Sequence, residues 1–114
     1  MDEKEVSRAD EVIVAFARLW PKCFFVAPEE RKPLMLHIHV QLHRHLQPMI
    51  EARRISERDI EIALSRYTSC ESYQDRIAAT GRTIRIGLHG EARGHVTHEQ
   101  RMHARKIRAE AFTC

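Results

Sequence analysis

The segment between two prolines, Pro33 and Pro48, most restricts how this chain of 114 residues can fold. Pro33 suits the first turn of a helix, where its missing N–H would have had no intrahelical partner and its fixed φ already fits. On a helical period Leu34, Ile38 and Leu42 share one face, while Leu36 and Val40 lie on the opposite one. The spacing therefore predicts a central helix from Pro33 to about Gln47, stopped by Pro48 and buried on two sides. The other elements are expected to pack around it.

Ile13, Phe16, Ala17 and Trp20 recur at i, i+3, i+4 and i+7, which predicts an amphipathic helix over 5–20 that ends at Pro21. Residues 22–32 read as a loop and 48–55 as a connector. Ser56 with Asp59 three residues on is a capping box, so a third helix should open there and end near Thr68, with Ile60, Ala63, Leu64 and Tyr67 as its buried stripe. A shorter helix is expected over 70–77, closing before Gly81. The period then changes to two: Ile84, Ile86 and Leu88 alternate with Thr83, Arg85 and Gly87, which places the apolar group in the core and Arg85 outside. His89, Gly90 and Glu91 form a turn, and Ala92 to Val96 returns as a second strand. Thr97 with Gln100 is a second capping box, opening a last helix to about Ala111. An isolated hairpin is marginal in water, so this one must lie against helices. The reading is an α+β, mostly helical domain of about five helices around a buried central helix with one small β-hairpin.

A chain of this length suffices for one core. Residues 1–7 read as an acidic leader, 8–111 as one domain and 112–114 as a C-terminal end. Met1 is followed by Asp2, Glu3, Lys4 and Glu5, the opposite of a basic signal start, and no long apolar run is present. A cytoplasmic protein without membrane association is expected. Cys23, Cys70 and Cys114 are an odd set without paired spacing, which argues against a disulfide framework. Cys23, inside an apolar run, reads as a small buried hydrophobe. Residues 1–30 carry four Lys/Arg against seven Asp/Glu, and residues 31–114 carry fifteen against nine. The basic excess thus belongs to the body of the chain, which points to an anionic partner, nucleic acid first.

Eight histidines invite a metal reading, and His39 and His43 stand at i, i+4. No HExxH or CxxC accompanies them and no carboxylate is near in sequence, so neither a metal site nor another cofactor is expected. His45 reads as a core or boundary residue. There is no phosphate-binding glycine loop and no nucleophile elbow, so neither catalytic residues nor a small-molecule substrate are expected. Anion binding fits better. Helix starts at Pro33, Ser56 and Thr97 present amide N–H groups, with Arg31 and Lys32 before the second helix and Arg53, Arg54 and Arg58 around the third. Tyr67 and Tyr73 bracket the end of the third helix and could stack on bases, Tyr67 alternatively packing in the core.

These residues resemble the ProQ/FinO domain. The resemblance rests on LWPKCF at 19–24, ERKPL at 30–34, Ala63 to Thr68, Tyr73, Arg85 with Gly90 and Gly94, Val96-Thr97, and His103-Ala104-Arg105-Lys106, in order over residues 8–110. It implies a mostly helical domain with a small hairpin, and a bacterial RNA chaperone. Such a protein would bind hairpins with a single-stranded 3′ tail, as in intrinsic terminators, and act in regulation by small or antisense RNA. By position, Tyr73 and Arg85 match a tyrosine and an arginine of the family's RNA-binding concave face. Ser56 stands at the start of the helix used against the RNA end, and Tyr67-Thr68 matches a Tyr-Thr pair. Lys22, Arg31, Lys32, Arg54, Arg58, Arg82 and Arg85 would hold phosphates. Met35, Glu61 and Ser65 stand where the family often has basic residues, which suggests a second reading: a protein-interaction adaptor that kept the fold with weak RNA affinity. A small DNA-binding regulator is a third, although the connector before Ser56 does not read as a helix-turn-helix.

Overall fold

The computed structural model describes residues 2–79 and 81–112. Cys114, with Met1, Thr80 and Thr113, lies outside the described residues. The order is α1 (Glu3–Leu19), a single 3-10 turn (Pro28–Glu30), α2 (Ile38–Glu51), α3 (Glu57–Thr68), α4 (Glu71–Ala78), β1 (Ile84–Ile86), β2 (Ala92–His95) and α5 (His98–Phe112). Among the described residues there are therefore five helices and a two-stranded antiparallel sheet, as the sequence predicts.

Local chemistry sets most of the boundaries. Asp2 caps α1 by accepting from the Glu5 amide at 2.8 Å, so the acidic stretch at the start is continuous with the helix. Ser56 Oγ accepts from Asp59 N at 3.0 Å, and an Asp59 carboxylate oxygen accepts from Ser56 N at 3.0 Å. Thr97 and Gln100 repeat the arrangement at 3.0 and 3.2 Å. Each box satisfies two amides that a helix end leaves without partners.

The core joins α1, α3 and α4 through aromatic rings. Phe16 and Phe24 have centroids 5.1 Å apart, Phe24 and Tyr67 5.3 Å, and Tyr67 and Tyr73 6.2 Å. Such tilted and edge-on contacts add to the burial of each ring. Cys23 is fully buried among them, as expected for a small hydrophobe, and burial together with the negative charge of Glu91 raises its thiol pKa to about 12.

The central helix departs from expectation. Pro33 does not open it: Pro33 to Met35 runs extended beside β1, with Met35 N donating to Ile86 O at 2.8 Å and Ile86 N to Pro33 O at 3.0 Å. A proline fits that strand edge as well as a first helical turn, because neither needs its N–H. The chain turns at His37, whose φ is 61°, and α2 begins at Ile38. It continues through Pro48 to Glu51. Ile38, Leu42 and Leu46 are buried, while Leu36 is 53% and Val40 48% exposed. The helix is buried on one face only.

The alternation in β1 is also reversed at one point. Arg85 is only 7% exposed, whereas Ile84 is 40% exposed. The strand pairs Ile84 with His95 and Ile86 with Ala92, with a shift of register between them. An irregular ladder of this kind bends the strand and re-aims its side chains. Arg85 is thereby directed between the Leu34 segment and α5.

Candidate functional site

A groove lies between α4 and α5, with β1 at its floor. Tyr73, Ile77, Arg85, Gln100 and His103 line it, Leu36 and Ile107 form apolar edges, and its volume is about 400 Å³. Arg85 Nη1 donates to Leu34 O at 2.8 Å and Nη2 to Gln100 Oε1 at 3.1 Å. Its Nε is buried without a hydrogen-bond partner among the described residues. Arg101 has a similar atom, but Arg85 is the one of the two that lines the groove. A guanidinium is always charged, and a buried donor without an acceptor costs about 1–3 kcal/mol. The floor of the groove is therefore cationic.

Tyr73 stands beside it. Its hydroxyl oxygen accepts from Leu34 N at 3.0 Å. Burial raises the phenol pKa, against the lowering effects of that amide and of Arg85. The hydroxyl thus stays protonated at neutral pH, and with Arg85 offers hydrogen-bond donors to an anionic or carbonyl-bearing ligand. The sequence missed the rest of the lining. Gln100 was legible as a cap residue, yet the same Oε1 that accepts from Thr97 N also accepts from Arg85, and only the fold brings that third partner in.

The other residues singled out from sequence fall elsewhere. Tyr67 is fully buried, its hydroxyl accepting from Phe25 N at 3.0 Å, so it has no open face on which a base could stack. The core alternative for Tyr67 is the one realised. Thr68 Oγ1 donates back to Leu64 O at 3.0 Å. Arg31 is buried over the Tyr67 ring at 4.2 Å and donates to the carbonyls of Phe25, Val26 and Tyr67. It holds the 22–32 loop to α3.

Arg54, Ser56 and Arg58 form a separate corner against α1. Ser56 and Arg58 line a cavity there with Asp2, Glu5 and Asp59, and share no lining residue with the α4–α5 groove. Arg58 pairs with Glu5 at 3.6 Å, and the Arg54 carbonyl accepts from Arg8 at 2.8 Å. The same cavity is lined by Lys4 and Arg8 as well, so three carboxylates and three cations surround the start of α3. Lys22, Lys32 and Arg82 are exposed. Lys32 Nζ lies 5.8 Å over the Phe25 ring, and Lys22 abuts Gly90, whose φ of +77° at the hairpin turn favours glycine. His45 is exposed rather than buried, and its ring packs edge-on against Trp20 at 6.0 Å.

Among the described residues no group of three or more His, Cys, Asp or Glu is arranged to hold a metal ion, and no helix is long and apolar enough to cross a membrane. A comparison with curated proteins finds no match. A comparison with solved structures finds the NMR solution structure of a ProQ homolog from Legionella pneumophila, with a TM-score of 0.77 and 23% identity, covering 93% of this chain and 84% of that one. That likeness concerns the fold. The family model described as ProQ/FINO matches residues 6–113, nearly the whole chain, and the chain therefore belongs to the ProQ/FINO family.

Proposed function

We propose that residues 8–111 form an RNA-binding domain for structured hairpins with a single-stranded 3′ tail, acting without covalent chemistry in cytoplasmic regulation by small or antisense RNA. The family is one of RNA-binding proteins, and the observation that carries the finer reading is the groove floor, where a buried arginine with a free Nε lies beside a buried tyrosine. Side chains read little in the deep groove of an A-form stem, so discrimination falls to shape and to the unpaired end. The tail enters the α4–α5 groove, and exposed cations such as Lys22, Lys32, Arg54 and Arg82 hold stem phosphates.

The test is a titration with a terminator-like hairpin bearing a U-rich tail, beside the same stem without its tail, with a blocked 3′ end, and as DNA. Tight binding that needs the tail supports the reading. Arg85→Ala is expected to weaken that binding by about 1.5–3 kcal/mol, the range for a hydrogen bond to a charged group. Because Arg85 also ties Leu34 to α5, His103→Ala on the exposed groove wall serves as a variant that leaves the fold intact, with a smaller loss expected. Equal affinity for tailed and tailless stems, unchanged in both variants, would remove the groove from the site.

The second reading is an adaptor that kept the fold with weak RNA affinity. Glu61 and Ser65 are exposed on α3 where a basic face would be expected, which favours it. It predicts weak binding to every RNA tested and a protein partner that survives ribonuclease.

A further inference from the structure

The hydrogen bonds around Arg85 settle which end of the Gln100 side chain is left for a ligand. Gln100 Oε1 accepts from Arg85 Nη2 at 3.1 Å and from Thr97 N at 3.0 Å. Both partners are donors only, so the carboxamide atom between them must be the oxygen. An amide oxygen has two lone pairs, and here both are used.

The nitrogen remains. Gln100 Nε2 makes no hydrogen bond among the described residues, and Gln100 is half-buried in the groove lining with Tyr73 and Arg85. The buried side-chain atoms without partners among the described residues are Arg85 Nε and Arg101 Nε, so Nε2 keeps contact with solvent. Its position is also fixed. Gln100 N donates to Thr97 Oγ1 at 3.2 Å while the side chain closes back on Thr97 N, so the capping box holds backbone and carboxamide together. The bond from Arg85 ties the same group to β1. A ligand meeting Nε2 therefore meets a donor whose rotamer freedom was lost on folding, which lowers the entropy cost of binding.

Net charge does not single out a ligand here. The groove lining carries one guanidinium, Arg85, and one carboxylate, Glu99, beside the His103 imidazole. The two fixed charges cancel in sum. Direction is what distinguishes the floor: Leu34 O and Gln100 Oε1 are both occupied by Arg85, and the Gln100 amide group offers N–H alone.

We propose that Gln100 is a specificity-determining residue of the RNA groove, held by Thr97 and Arg85 so that Nε2 donates to an oxygen acceptor of the single-stranded tail. That acceptor is a base carbonyl or a phosphodiester oxygen. A uracil edge presents a carbonyl where cytosine presents an amino group, so only the first can accept from Nε2 there. The inference rests on the RNA-binding reading and names the group on the RNA that this part of the site recognises.

Gln100→Glu tests it, because the carboxylate keeps an acceptor for Thr97 N and Arg85 but has no N–H to donate. Gln100→Met is the uncharged companion, with neither donor nor acceptor of comparable strength. Urea denaturation should find Gln100→Glu at least as stable as the full chain and Gln100→Met less stable, so a merely structural role would spare the first. Titrations then use the hairpin with a U tail, the same hairpin with a C tail, and the tailless stem. For the U tail, Gln100→Met should weaken binding by about three- to ten-fold, the worth of one hydrogen bond, and Gln100→Glu by more than about ten-fold. The tailless stem should change by about two-fold or less in either variant, since it leaves the donor without a partner in every protein. A U-over-C preference of the full chain that Gln100→Glu narrows or reverses supports the base carbonyl as acceptor, and equal losses for both tails support the phosphate. Unchanged affinity of either variant for the U tail, or an equal loss for tailed and tailless stems, overturns the inference and leaves the RNA reading in place. Absence of binding by the full chain to every RNA overturns both.

Discussion

Arg31 shows how a basic residue can be committed inside a small domain. Its three donor groups reach three backbone carbonyls from two parts of the chain, and its guanidinium covers the Tyr67 ring. A lysine would present a compact charge in place of this planar fork. Tyr67 itself is held by the Phe25 amide, and burial raises its phenol pKa to about 12. An acidic group whose pKa is raised on folding stabilises the folded state fully below its unfolded value, and that stability is lost as pH climbs toward the folded one. For Tyr67 the window runs from about pH 10 to about 12, with a total of about 2–3 kcal/mol. Cys23, raised to about 12 as well, adds to the decline from pH 9 upward. Urea denaturation at intervals from pH 8 to 11.5 should show stability flat at first and then falling. Tyr67→Phe should start lower, because Phe25 N–H loses its acceptor, but decline less steeply above pH 10. Parallel curves for the two proteins would show that Tyr67 does not titrate with folding.

Elements whose ends are set by neighbours in sequence were legible, and those set by distant partners were not. The Ser56–Asp59 and Thr97–Gln100 boxes need only residues three apart, and both form as read. Pro33 satisfied two local rules at once, and the choice between them was made by Ile86, more than fifty positions away, through two backbone hydrogen bonds. Arg85 was placed outside by strict alternation, and the shift of register in the hairpin turned it in. The site suffered most from this, because the groove depends on both misread features. The delayed start of α2 has a local cost. His37 sits at φ 61°, a left-handed conformation that disfavours any residue with a Cβ by about 1–2 kcal/mol. His37→Gly should therefore raise the stability by about 0.5–1 kcal/mol, after allowance for the greater freedom of glycine in the unfolded chain. Thermal or urea denaturation would measure it. A destabilised variant would mean that the imidazole makes a compensating contact at the entry to α2.

Over the whole molecule, the number of basic side chains overstates what is available to an anionic partner. The chain has 19 Lys/Arg against 16 Asp/Glu, and many of the charges are already engaged. Arg66 pairs with Asp10 at 2.7 Å, and Arg108 with Asp75 at 2.6 Å. Both join separate helices. Among the seven basic residues proposed from sequence to hold phosphates, Arg31 is enclosed by carbonyls and Arg58 faces Glu5. Their removal leaves Lys22, Lys32, Arg54, Arg82 and Arg85. With about 0.7–0.9 counterions released per neutralised phosphate, seven contacts would give a slope of log affinity against log salt near −5 to −6, and five would give about −3.5 to −4.5. With these five contacts the slope for the tailed hairpin should be no steeper than about −4.5. Fluorescence anisotropy over a series of salt concentrations would measure it. A slope near −6 would mean that two further cations reach the RNA, either exposed ones such as Arg53 and Lys106 or Arg31 and Arg58 released from their present partners, and release of Arg31 would rearrange the 22–32 loop.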